Sequence, residues 1–296
     1  MVALSVSQLS AISRLFSSAV FHEMAKKGRS ALFARLFSQT GVEPKCAASA
    51  TVGDGFDSAF AVMRKVGLRD EYIYRAAVTH KVLLGTHSLN TACMLTEFRA
   101  GACKADLVIL NGTATAFEIK SERDSLSRLA NQVANYKKVF ASVNVIVSEG
   151  HVRSVMETVP VEVGVMCLSR SYRISTVRDA VDQRDRICPV TVFESLRSAE
   201  ARAILKTLGA PIPEVPNTML HSAMREVFTT LRPEEVHLAM VSTLKRTRDL
   251  APLSDLVERL PKSLHTAALS IQVHRAAHDR LVEAVSTPLA AAMSWA

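Results

Sequence analysis

The sequence predicts an α/β core, a mixed sheet flanked by helices, with helical extensions at both ends. Three observations predict it. Two mostly apolar runs, 104–110 and 114–120, flank Asn111-Gly112, a pair that tolerates the positive φ of a hairpin turn. A helical stretch comes next and leads to a third apolar run at 143–147. That order is expected of a parallel β-helix-β unit, right-handed by rule. From Val192 onward the pattern is almost wholly helical.

The hairpin carries the chemistry. Asp106, Glu118 and Lys120 are charges set in apolar strands, and strands of this kind are usually buried on both faces. Side chains alternate along a strand, so Glu118 and Lys120 share one face and Ile119 takes the other. A two-residue loop would set Asp106 opposite Phe117 and leave Glu118 on the wrong face. A three-residue loop with Gly112 at positive φ sets Asp106 opposite Glu118. The bulged turn is therefore the expected one. Two carboxylates brought together repel unless a cation sits between them. Carboxylate and carbonyl oxygens suit Mg²⁺ or Mn²⁺. Lys120 beside them is placed to orient a water or hold a phosphate oxygen.

Asp106 followed by Glu118-Ile119-Lys120 resembles the PD-(D/E)XK nucleases, the restriction-endonuclease-like fold. Gln132 and Tyr136 on the next helix resemble the QxxxY motif of its RecB-like branch. Thr96-Glu97-Phe98-Arg99, Lys104-Ala105-Asp106, Asn111-Gly112, Glu118-Ile119-Lys120-Ser121 and Asp124-xxx-Arg128-Leu129 further resemble an uncharacterised bacterial family within that superfamily. The similarity runs roughly from His87 to Leu205. Ala105 stands where the motif has proline. The resemblance implies Asp106 and Glu118 as metal ligands, the Ile119 carbonyl as a third, and Glu97 as a further acidic ligand. Lys120 would position or activate the attacking water, and the metal would generate the nucleophile and clamp the reacting oxygens. Ser121, Arg128, Gln132 and Tyr136 would line the cleft. The structural alternative is a buried ion pair between Lys120 and one acid. Such charges are costly to bury and cluster at functional sites.

Composition limits the classes. The chain has 296 residues, 48% hydrophobic, with no excess of Gly or Pro, which describes a globular protein. A net charge of +8 fits a polyanionic partner, and the nuclease resemblance implies that it is DNA. Aromatics at 5% disfavour a base-stacking platform. Five scattered cysteines without a CxxC pair read as reduced thiols in a cytoplasmic protein without structural zinc. No stretch reaches membrane-spanning length, so no membrane partner is expected. The first residues, rich in Ser and poor in acids, faintly resemble a transit peptide, but a packing element is the better reading.

Three segments are expected: a helical extension and linker at 1–57, the nuclease-like core at 58–210, and a helical domain at 211–296. The first holds two amphipathic helices and a small, polar linker at 41–57. In the second, two helices occupy 58–84, the first ending in Val66 and Gly67. His80 and His87 are left out of the metal site because His suits Mg²⁺ poorly. A helix capped by Asp124 or Ser125 presents Arg128, Gln132 and Tyr136 as one polar stripe. A short helix at 151–159 and strands at 164–168 and 172–177 come after it. One helix spans 193–208. Pro211, Pro213 and Pro216 mark the boundary to the third segment. There Asn217 caps a helix, Pro233 opens another, and a third covers 263–285. Arg170, Arg173 and Arg178, interleaved with acids, read as solvated surface, and Lys245, Arg246 and Arg248 as a helix terminus.

The expected function is metal-dependent hydrolysis of phosphodiesters. One rival is a non-cleaving nucleic-acid-binding or regulatory protein on the same fold, and another is a scaffold whose helical arms dock a partner or a second copy. A role in bacterial or phage defence, repair or mobile-element upkeep fits all three.

Overall fold

The computed structural model describes residues 4–44, 49–65 and 67–295. Cys46, Val66 and some of the expected linker lie outside them. Two compact units are present, one formed by Met1–His80 with Ala251–Ala296, the other by Lys81–Leu250. This division differs from the expected one at both boundaries. Helices within 58–80 pack with the N-terminal segment, and the proline-rich stretch at 211–216 does not separate the helices beyond it from the sheet.

The discontinuous unit is helical. It contains α1 (Val6–Leu15), α2 (Ser18–Lys27), α3 (Ala31–Thr40), α4 (Val52–Met63) and α5 (Glu71–Val78). The first of the two expected helices, carrying Leu9 to Val20, is split into α1 and α2. Ser17 adopts an extended conformation between them, without a side-chain cap bond. The linker is shorter than expected, because Thr51 caps α4 in a reciprocal box with Asp54. Phe16, Phe33, Phe56 and Phe60 meet in its core.

The second unit is a six-stranded mixed sheet in sequential order. After a single helical turn, α6 (Leu84–Thr86), come β1 (Cys93–Ala100), β2 (Cys103–Leu110), β3 (Ala114–Lys120), α7 (Leu129–Tyr136), β4 (Ser142–Ser148), α8 (Val152–Thr158), β5 (Gly164–Leu168) and β6 (Ile174–Arg178). The β3/β4 and β4/β5 pairs are parallel; the other three are antiparallel. The chain continues as α9 (Pro189–Ser195), α10 (Ser198–Thr207), α11 (Asn217–Thr229) and α12 (Pro233–Thr247). The 193–208 helix is thus broken. Glu200, buried in the first turn of α10, accepts from the Arg197 amide and from both Arg248 Nε and Nη2 at 2.9 Å. The expected basic terminus is therefore partly structural. Pro216, not Asn217, takes the cap position of α11. One face of the sheet packs Val108, Ala116, Val143 and Val145 against Leu129, Val133, Phe228 and Met240 of these helices.

In the first unit again, α13 (Ser254–Arg259), α14 (His265–Ser270), α15 (His278–Ser286) and α16 (Leu289–Ala292) complete the chain. The expected helix at 263–285 is interrupted because Ile271 is extended and the His274 ring accepts from the Ala276 amide. Cys93, Cys103, Cys167 and Cys188 are free thiols. Among the described residues no helix is long and apolar enough to cross a membrane.

One buried group of α12 makes fold stability depend on pH. His237 is 0% exposed and its Nε2 lies 3.2 Å from the Thr113 hydroxyl, which donates to Asp182. Burial first, and then the Arg184 charge, push its pKa from 6.5 to about 4, against the opposing pull of Asp182. The folded value lies below the unfolded one, so the unfolded chain takes up this proton first. Its contribution is complete above pH 6.5 and is lost as pH falls toward 4. Urea unfolding is expected to show native stability declining across that window, by on the order of 3 kcal/mol from this group. His237→Gln should flatten the decline. An equal decline in both proteins would rule His237 out as its source.

Candidate active site where two strands diverge

The hairpin turn is the expected three-residue one. Leu110 pairs with Ala114, and Gly112 has φ +104°. The β2/β3 pairing runs from there to Leu107↔Phe117 and stops. β2 nonetheless continues against β1 to Ala100↔Cys103, and β3 continues against β4 to Lys120↔Val147. The two strands therefore diverge just beyond Leu107 and Phe117, with Asp106 and Glu118 as the next residues on either side. On β1, Thr96↔Leu107 and Phe98↔Ala105 bracket Glu97 opposite Asp106. Glu97, Asp106 and Glu118 thus form one row across three strands.

The divergence removes a ladder partner from β3. The Ile119 amide donates instead to Asp106 Oδ2 at 2.7 Å. A strand residue directs its N–H and C=O to the same side, so the Ile119 carbonyl faces the same opening. Glu97 sits at φ +52°, a left-handed conformation that costs a residue with a Cβ on the order of 1–2 kcal/mol. It is exposed, and its carboxylate oxygen lies within 4.8 Å of one on Asp106.

Behind the row, charge is buried and paired. Glu118 is 1% exposed and Lys120 5%. Lys120 Nζ lies 2.8 Å from Glu118 Oε1 and donates to Gln132 Oε1 at 2.9 Å. The Tyr136 hydroxyl lies 2.6 Å from Glu118 Oε2 and 2.6 Å from the Lys104 carbonyl. It thereby spans the diverging strands. Burial, followed by the Glu118 charge, raises the Tyr136 phenol far above its ordinary value, so it stays protonated and donating.

The structure forms two groups: Glu97 and Asp106 with the Ile119 amide at the mouth, and Glu118, Lys120, Gln132 and Tyr136 behind them. It sets two other expected residues apart. Ser121 is buried, but its amide and hydroxyl both donate to Asp124 Oδ2, at 2.8 and 2.6 Å. Asp124 closes that turn instead of capping a helix, and α7 starts later, at Leu129. Arg128 is exposed and leaves the polar stripe to Gln132 and Tyr136. The Lys104 carbonyl was not anticipated, since a backbone acceptor leaves no sequence signal. Asn135 was also missed. Its Oδ1 accepts from the Ala102 amide at 3.2 Å and ties the β1–β2 turn to α7.

Fold and site define a class: a mixed α/β protein with an acid–lysine cluster where neighbouring strands diverge. The chain belongs to the family described as Bacteriophage P4 protein cII, which matches residues 64–259 and so includes the whole sheet unit. A relative, protein cII of Enterobacteria phage P4, is 38% identical over 85 residues, covering 29% of this chain and 31% of the relative. The match thus spans under a third of that relative's length. A solved structure, the SPO1766 protein of unknown function from Silicibacter pomeroyi, aligns at TM-score 0.31 and 18% identity, over 46% of this chain and 88% of that one.

Removing the Tyr136 hydroxyl takes away the one proton that Glu118 Oε2 and the part-buried Lys104 carbonyl share. Tyr136→Phe is expected to lower unfolding free energy by about 1–3 kcal/mol in urea titrations. A change within a few tenths would mean that the hydroxyl does not bridge Glu118 and the Lys104 carbonyl.

Proposed function

We propose that the sheet unit is a metal-dependent nuclease of the PD-(D/E)XK type, hydrolysing phosphodiester bonds of DNA. The observation that carries this reading is the row Glu97–Asp106–Glu118 where the strands diverge, with Lys120 held beside it. The donor set fits a hard divalent cation. Asp106, Glu118, the Ile119 carbonyl and Glu97 offer only oxygen, as Mg²⁺ or Mn²⁺ requires. When bound there, such an ion would lower the pKa of a water and neutralise charge on the phosphate. The chain's own residues do the rest. Gln132 and Glu118 fix the Lys120 ammonium, whose third proton can hold a water or a phosphate oxygen at the opening. Tyr136 keeps Glu118 oriented, and the Ile119 amide keeps Asp106 at the mouth.

A second reading has its own support. Both oxygens of Glu118 already have donors, Lys120 and Tyr136, so the buried charge is balanced without a metal. That favours a protein that holds nucleic acid on this fold without cutting it. The cytoplasm is the compartment that suits either reading.

The two separate in one assay. Plasmid and linear DNA are incubated with Mg²⁺ or Mn²⁺ and native protein, Glu118→Gln or Lys120→Met. Cleavage by the native protein is expected, with loss of about 10²-fold or more in both variants. Equal cleavage by all three would assign the activity to a contaminant. Metal binding without cleavage by any would favour the second reading.

A further inference from the structure

Resting on the nuclease reading, we infer that Arg99 and Lys104 form a phosphate clamp that seats a polynucleotide backbone beside the acid row. They are direct cross-strand partners in the β1/β2 ladder. Both are exposed. Their contacts leave the charges uncompensated. Arg99 Nε reaches only the Gly101 carbonyl, at 3.4 Å, and neither side chain forms an ion pair among the described residues. Like charges directly opposite one another weaken an antiparallel pair. The fold itself therefore gains nothing from setting these two cations face to face.

Their position supplies the reason. Lys104 lies two residues before Asp106, and Arg99 two residues after Glu97. That is about 7 Å along each strand, the scale of one nucleotide step. Phe98, Ala100 and Ala105 pack into the core with Tyr136 and Phe140. Arg99 and Lys104, next to these buried residues, are exposed, as Glu97 is, and Asp106 is half-buried. An acid row alone repels a polyanion. Two unpaired cations one step away offset that repulsion on the side where a backbone would continue past the reacting phosphate.

The pair is also held still. The Asn135 side chain bonds the Ala102 amide, and Gly101 at φ +58° would bring any Cβ within 2.4 Å of the same side-chain oxygen. The turn is thus seated on α7, the helix that supplies Gln132 and Tyr136. The clamp and the acid row share one rigid support. The partner this geometry fits is a polynucleotide extending beyond the reacting phosphate, not a mononucleotide.

The test is binding of a labelled DNA duplex to the full chain in EDTA, where no cleavage occurs, between about 50 and 200 mM KCl. Arg99→Gln/Lys104→Gln is expected to weaken binding about tenfold or more and to reduce the slope of log K against log salt by about 2. Arg99→Lys/Lys104→Arg should retain the native slope. Urea midpoints should not fall in either variant, since a repulsion is relieved or kept. Unchanged affinity and slope in the double Gln variant would overturn the clamp, even if the native protein cuts DNA. A native protein that binds with the cation-dependent slope but never cuts would keep the clamp and sink the nuclease reading. Failure of the native chain to bind any polynucleotide would remove both.

Discussion

One backbone amide organises this molecule. Where β2 and β3 diverge, the Ile119 N–H loses its ladder partner, and an unpaired amide at that depth is costly. Asp106 satisfies it at 2.7 Å. That bond fixes the carboxylate at the mouth of the opening, and with it the relation of Asp106 to Glu97 and Glu118. The opening then demands more. Glu118 and Lys120 lie too deep for water to solvate them, so they pair with each other and recruit Gln132 and Tyr136. Helix α7 is positioned as much by these polar contacts as by its apolar face.

The site is thus built from partial satisfaction arranged in depth. The deep members have every acceptor occupied. The shallow members, Glu97 and Asp106, gather negative charge near solvent, and Glu97 does so from a strained backbone. Strain of this kind persists where the surroundings over-determine it. Here the flanking pairs Thr96↔Leu107 and Phe98↔Ala105 do so.

Much of this was legible in the sequence. The hairpin and its three-residue turn came from alternation and from Gly112, and they set Asp106 and Glu118 as the first residues past the last ladder pair. Gln132 and Tyr136 were legible because helical spacing of four brings them to one stripe. The features that escaped were set by contacts distant in sequence. Glu200 breaks a helix that its local pattern would continue, because Arg248 and the Arg197 amide claim its carboxylate. Asp124 has the chemistry of a helix cap yet closes a turn onto Ser121. The unit boundaries were misread for the same reason. Prolines at 211–216 signal a local stiff segment, but Met224, Phe228 and Met240 beyond them belong to the core of the sheet unit.

The helical unit is assembled from both flanks of the sheet unit. During synthesis its first eighty residues emerge well before their C-terminal partners exist. The intervening stretch of about 170 residues leaves the ribosome in between and is free to acquire its own fold first. Relative to a ten-residue connection, joining the two halves across such a span costs only about 2.5 kcal/mol in closure entropy. The delay is therefore a matter of order more than of energy. Nascent α1–α4 can bring Phe16, Phe33, Phe56 and Phe60 together early, whereas the faces of α2 and α4 that α15 covers wait for the last helices.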